Sequence, residues 1–187
     1  MPFFSIIVPT KNREVLLNDC LWSILRQTFT DFDVHLIDNS DKPLSESKYT
    51  NQDHRIKYHR TGNLDMCQNW YKGLEVASGK YILILSDRLV WSTKYFLESL
   101  YMKVKDQSNE IASWKFVQAR SVGRNAPRRS NTFSEYTSKE ILDSALNINL
   151  RFFSDVAPRG LNSAFRIDKI VNFLNNHSYH SLRASPD

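Results

Sequence analysis

Four polar residues of this 187-residue chain stand directly behind unbroken apolar runs. Thr10 and Asn12 follow Ser5-Ile6-Ile7-Val8-Pro9, and Asp87 and Arg88 follow Tyr81-Ile82-Leu83-Ile84-Leu85-Ser86. A hydroxyl, an amide, a carboxylate and a guanidinium form a set that can hydrogen-bond a polar ligand and grip phosphate through the planar guanidinium fork. An apolar run without alternation is expected of a strand buried on both faces, as in a parallel sheet. Ligands of open α/β sheets bind just past the carboxyl ends of such strands. Residue type and placement therefore agree.

The elements that must position these residues can be read from periodicity. Leu17, Leu21, Ile24 and Leu25 recur at helical spacing after the first strand, and Thr28 and Asp31 close that element. Asp33 to Asp38 reads as a second strand, followed by the polar Asn39-Ser40-Asp41-Lys42-Pro43, and Arg55 to Arg60 as a short third. Asp65 to Ala77 carries Met66, Trp70 and Leu74 at spacing of four, an amphipathic helix with Gly79 as its terminator. Lys80 to Leu85 is the strongest strand, and Phe96, Leu97, Leu100 and Val104 mark another helix. Strand–helix alternation predicts right-handed crossovers and an α/β, three-layer sandwich around a mainly parallel, Rossmann-like sheet. Ile6, Ile7, Val8, Leu36, Ile37, Ile82, Ile84 and Leu85 are its expected centre.

Further along, Ile111 to Ala119 reads as a strand and Arg120 to Arg129 as a basic loop. A capping-box spacing of Thr137 and Glu140 opens a helix. The stretch from Phe152 to Asn162 is irregular, and Ile167 to Leu174 reads as a last helix. The chain stops at Ser185-Pro186-Asp187 without a closing element, which reads as a cut within a larger protein.

Composition narrows the function classes. With 41% hydrophobic and 12% aromatic residues the chain can bury a core and is not disordered. A net charge of +5 favours anionic partners: nucleotide diphosphates, nucleic acid or an anionic membrane face. No apolar stretch approaches the ~20 residues of a membrane span. With no secretory leader and only Cys20 and Cys67 as cysteines, a reducing cytoplasm is the expectation. No glycine stands in Pro9-Thr10-Lys11-Asn12, which argues against a dinucleotide fingerprint or a P-loop. The basic loop lacks the aromatic interleaving of a nucleic-acid binder, and the five histidines show no metal spacing.

Three segments in this order, SIIVPTKNR, VHLIDNSD and GLEVASGKYILILSDR, resemble the N-terminal half of a family 2 glycosyltransferase with the GT-A fold. On that resemblance, residues 1–105 are the nucleotide-sugar-binding half, and 106–187 begin the acceptor half of a single truncated domain. The implied donor is a UDP- or dTDP-sugar, and the acceptor a saccharide or lipid-linked saccharide, with possible peripheral contact at the inner membrane face. Asp38 would accept the imide proton of uracil or thymine, assisted by Asn39 and flanked by Thr10. Pro9, Asn12 and Arg13 would complete the nucleotide site, with Asp87 and Arg88 at the diphosphate.

The family usually places an Asp-x-Asp motif after the strong strand to hold Mg²⁺ or Mn²⁺. Here that place reads Ser86-Asp87-Arg88-Leu89, with one carboxylate, so Asp87 is the metal candidate and metal dependence is open. Arg88 either neutralises phosphate directly or pairs with Asp87. Local alternatives also stand: Asp38-Asn39-Ser40 as a plain turn, and Asn12 and Arg13 as caps of the next helix or partners of its acids. An inverting transfer needs a carboxylate base at the acceptor side. Asp187 is the candidate and Asp155 the runner-up, against Asp187 as a frayed terminus. The alternative from another class is a non-catalytic nucleotide-sugar or glycan-binding module of the same fold.

Overall fold

The computed structural model describes residues 1–106, 111–113 and 163–170. Three β–α units open the chain: β1 (Phe4–Thr10), α1 (Glu14–Leu25), β2 (Phe32–Asp38), α2 (Glu46–Thr50), β3 (Ile56–Arg60) and α3 (Met66–Val76). They are followed by β4 (Tyr81–Ile84), α4 (Phe96–Val104), β5 (Ile111–Ser113) and β6 (Ser163–Arg166). The six strands form one sheet in the order β3-β2-β1-β4-β6-β5. The first four run parallel, and β6 pairs antiparallel with both β4 and β5.

The unalternated apolar runs form the sheet's middle, as expected. Every residue of β1, β2 and β4 is buried, because both faces are covered. One face carries Phe4, Ile6, Val8, Val34, Leu36 and Leu83 against Leu17, Leu21 and Ile24 of α1 and Leu97, Leu100 and Val104 of α4. The other carries Ile7, Ile37, Ile82 and Ile84 against Trp70, Leu74 and Ala77 of α3 and its C-terminus, with Ile167 and Ile170. Residues 167–170 are helical, which matches the start of the expected last helix. This is the three-layer α/β arrangement with a mainly parallel sheet.

Two details of α3 differ from the sequence reading. Met66 is 65% exposed, and the buried positions are Asn69 and Gly73. The seam is displaced because α3 lies very close to the sheet: a Cβ on Gly73 would fall 2.3 Å from Ile7 Cγ2. Gly79 is not the helix terminator. The helix ends at Val76 with an extended Ala77, and a Cβ on Gly79 would lie 2.5 Å from the backbone N of Ser5. Its glycine serves a backbone contact with β1. The five-residue α2 was also absent from the sequence reading, since Glu46–Thr50 contributes one buried residue, Tyr49, and so has no apolar periodicity.

Candidate functional site at the strand ends

Strand register brings the predicted polar residues to one level. β1 pairs with β2 so that Thr10 stands opposite Asp38. It pairs with β4 through Ile7 opposite Ile84, and the Leu85 N–H donates to the Ile7 carbonyl beyond it. Two residues further on, Asp87 reaches the side chain of Thr10, whose Oγ1 donates to Asp87 Oδ2 at 2.8 Å. Arg13 donates from Nη1 to Asp87 Oδ1 at 3.3 Å. Asp87 is 1% exposed while the Arg13 side chain is 48% exposed, so one edge of the guanidinium is committed and the rest faces solvent. Arg13 occupies the N-cap position of α1 without a side-chain cap bond. Its side chain serves Asp87 instead of the helix.

The loop after β1 is locked to the loop after β2. Asn12 sits at φ 56°, the left-handed region that asparagine tolerates better than most residues. Its N–H donates to Ser40 Oγ at 2.9 Å, its Nδ2 to Asp41 Oδ2 at 2.7 Å, and its Oδ1 accepts from the Asp41 N–H at 2.9 Å. This clamp sets the direction in which Arg13 leaves the sheet.

Asp38 is fully buried and surrounded by donors. Oδ1 accepts from the Ser40 N–H, and Oδ2 from the Leu44 N–H at 2.9 Å and the Tyr58 hydroxyl at 2.7 Å. Burial alone would raise its pKa, but these donors outweigh it and hold the carboxyl below its ordinary value. Burial, and then the same contact with Asp38, push the Tyr58 phenol up to about 12. Asn39 is equally committed: its Nδ2 donates to the Leu64 carbonyl and its Oδ1 accepts from the Leu64 N–H. The segment it grips includes Gly62 and Asn63, both with positive φ. Arg60 donates to the Asp38 carbonyl, and Thr61 Oγ1 bridges that carbonyl and Asn69 Oδ1.

Thr10, Asn12, Arg13, Asp38, Asn39 and Asp87 are thus brought together at the carboxyl ends of three adjacent strands, with Pro9 buried beside them in β1. Arg88 is exposed one residue from Asp87, and its side chain makes no ion pair among the described residues; the partner of Asp87 is Arg13. Asp187, Asp155 and the basic loop from Arg120 to Arg129 lie outside the described residues. Sequence reading missed Ser40, Tyr58, Arg60, Thr61 and Leu64. Tyr58 and Arg60 were visible as polar groups on a predicted strand, whereas Leu64 acts through its backbone and leaves no trace in residue type.

A divalent ion asks for several hard oxygen ligands. Of the two carboxylates at these strand ends, Asp38 is enclosed by its own donors, and Asp87 has one oxygen held by a hydroxyl donor and the other by a cation. No group of three or more His, Cys, Asp or Glu able to hold a metal occurs among the described residues. The described residues do not by themselves complete a metal cage around Asp87, the single-carboxylate metal candidate of the sequence reading. No helix among the described residues is long and apolar enough to cross a membrane.

The family profile of Glycosyl transferase family 2 matches residues 5–166. The chain belongs to that family. It is 38% identical over 92 residues to the GalNAc(5)-diNAcBac-PP-undecaprenol beta-1,3-glucosyltransferase of Campylobacter jejuni, covering 46% of this chain and 30% of the relative. The chain therefore spans under a third of that relative's length. S. aureus TarS 1–349 superposes with a TM-score of 0.67 at 19% identity over 91% of this chain and 48% of TarS. In complex with UDP-GlcNAc it gives 0.63 at 18% identity, over 91% and 47%. The mannosyltransferase PcManGT of Pyrobaculum calidifontis, solved with GDP-Man and Mn2+, gives 0.51 at 17% identity over 60% and 35%. These structural likenesses establish the shared GT-A fold.

Proposed function

We propose that this family 2 chain forms the donor-binding part of a glycosyltransferase that takes its sugar from a UDP- or dTDP-sugar. The acceptor is a saccharide or lipid-linked saccharide, and the transfer inverts the anomeric centre. The observation that carries the reading is the convergence of Thr10, Asp38 and Asp87, with Arg13, at the carboxyl ends of β1, β2 and β4. Similarity to TarS, solved with UDP-GlcNAc, supports a uridine nucleotide. Similarity to a transferase named for an undecaprenol-linked substrate supports a lipid-linked acceptor.

In the reaction, the acceptor oxygen forms a bond to the anomeric carbon as the bond from that carbon to the diphosphate oxygen breaks. The nucleoside diphosphate leaves with the electron pair, and the acceptor proton passes to a base. The base assigned from the sequence is Asp187, with Asp155 second. Asp38 reads the base of the nucleotide; to accept an imide proton it must exchange one of the N–H donors of Ser40 or Leu44, so nucleotide binding reorganises residues 39–44. Arg13 faces the diphosphate with the N–H groups that Asp87 leaves unused.

Calorimetric titration with UDP, dTDP and GDP, followed by UDP-sugars, tests the reading. Binding of UDP or dTDP in preference to GDP is expected, with the preference reduced in Asp38→Asn. No binding of any nucleotide, together with salt-sensitive binding of RNA, would refute it. Nucleotide binding with no sugar transfer by the protein carrying its complete acceptor half would leave the non-catalytic module.

A further inference from the structure

We infer that the diphosphate of the donor is neutralised at this site by arginine in place of a divalent ion, with Asp87 acting as the anchor that aims Arg13. The inference rests on the nucleotide-sugar reading above and specifies its diphosphate subsite. Asp87 is 1% exposed. Thr10 Oγ1 holds one of its oxygens at 2.8 Å, and Arg13 holds the other at 3.3 Å, with Ser86 Oγ 3.5 Å from that second oxygen. An ion bound to this carboxylate would have to displace a guanidinium and then find its remaining ligands without a second carboxylate, since Leu89 stands two residues on.

The arginine is suited to the task that the carboxylate is not. Among the described residues only Nη1 of Arg13 is engaged and its side chain is about half exposed, leaving most of a rigid five-donor fork for phosphate oxygens. The ion pair does not exhaust the local charge. Lys11 and Arg88 are both exposed on the two loops that flank the Thr10–Asp87 contact. Asp38 and Asp41 stand at the same strand ends, but Asp38 is enclosed by its own donors and Asp41 is held by Asn12, so the exposed cations are the groups open to a diphosphate ester. The geometry is held rigidly from behind. Register fixes Thr10 and Asp87, and the Asn12 clamp onto Ser40 and Asp41 fixes the loop that carries Arg13. Asp87 is then a positioning residue: it orders Arg13 and offers the ligand no oxygen.

The test is titration of the 187-residue chain with UDP, dTDP and GDP, in EDTA and in Mn²⁺. The expected result is binding whose affinity agrees within about twofold between the two conditions. Arg13→Ala should lose about 10- to 100-fold, the range for a charge-assisted contact, and Arg13→Lys should recover only part of it because the fork is gone. Circular dichroism verifies that each variant is folded. Asp87→Asn should weaken UDP binding equally in EDTA and in Mn²⁺, since it loosens the anchor. Binding that requires Mn²⁺, and loses that requirement in Asp87→Asn, overturns the inference while leaving the nucleotide reading intact. Metal-independent binding with a silent Arg13→Ala overturns the role of Arg13. Failure of every nucleotide to bind in both conditions overturns the nucleotide reading and this inference with it.

Discussion

The two ends of the parallel sheet carry buried carboxylates in different settings. At the amino end, Asp33 accepts from Ser5 Oγ and Lys57 Nζ at 2.7 Å each and lies 3.2 Å from His35 Nε2. His35 in turn stacks against His59, with Nδ1 and Nε2 3.1 Å apart. Ser5 Oγ accepts from the N–H groups of Ser78 and Gly79, so the cluster ties the α3–β4 turn to three strands. At the carboxyl end, the comparable charges lie on loops that follow strands, and Asp87 is joined to a guanidinium with donors to spare. The half-exposed cations look alike in the two places: Lys57 at one end, Arg13 at the other. Burial and ion pairing therefore do not mark a binding site. Position does, because only the carboxyl ends open into the crevice where the loops diverge.

If this contrast is right, changes at the amino end cost stability and changes at the carboxyl end cost ligand binding. The largest effect is expected at Gly79. A Cβ there meets backbone at both nearest atoms, 2.5 Å from Ser5 N and 2.8 Å from Phe4 C, and β1 is paired to β2 on one side and β4 on the other and cannot give way. Gly79→Ala should destabilise by about 3 kcal/mol, the upper part of the range for overpacking, read by urea unfolding. A loss under about 0.5 kcal/mol, the scale of ordinary surface changes, would show that the turn moves freely and that the amino end is less rigid than described.

Asp33→Asn is expected next, at about 2 kcal/mol near neutral pH, the scale of a charge-assisted hydrogen bond. Burial would raise the Asp33 pKa, yet contacts with His35, Lys57 and Ser5 outweigh it and hold the carboxyl well below its ordinary 3.8. A depressed folded pKa means that the stabilisation is present above the unfolded value and lost as pH falls through the folded one. The gap between parent and variant should therefore be full above about pH 5 and shrink steadily below about pH 4. A gap independent of pH would mean that the charge of Asp33 contributes nothing and the comparison with Asp87 fails.

Much of this division was legible in the residues. Continuous apolar runs identified β1, β2 and β4, and the polar residues behind them identified Thr10, Asn12, Asp38 and Asp87, because a fully buried strand and its terminus leave a sharp change in residue type. What register decides was not legible. That Arg13, and not the adjacent Arg88, reaches Asp87 follows from a pairing between residues 74 positions apart, which no local pattern carries. Gly79 reads as a helix terminator and Gly73 carries no reading for the same reason: each glycine answers to an atom of β1, Ser5 N or Ile7 Cγ2, and a sequence shows the missing side chain without showing what fills its place. The grip of Asn39 on Leu64 runs through backbone groups, so any residue with an N–H at position 64 would have looked equivalent.

The smallest expected effect belongs to His59, and it probes whether the amino-end cluster senses pH at all. Burial lowers its pKa from 6.5, and the neighbouring His35 and Lys57 lower it further, while Asp33 acts in the opposite direction. The neutral ring is therefore favoured in the folded chain. A lowered folded pKa makes the unfolded chain bind more protons, so stability is complete above about pH 6.5 and falls as the solution is acidified through the folded pKa. Of the groups facing the ring, Lys57 repels an added proton and adds to that loss, while Asp33 compensates in part. His59→Gln keeps a polar side chain but cannot titrate, so its unfolding free energy should vary less than the parent's between about pH 7 and pH 5, with a difference of about 0.5 kcal/mol or less. UDP affinity should be unchanged by this variant, since no atom of His59 lies among the contacts of Thr10, Arg13 or Asp87. A drop in nucleotide binding with unchanged stability would break the separation, because His59, one step before Arg60 in β3, would then act on the site although its side-chain contact is with His35.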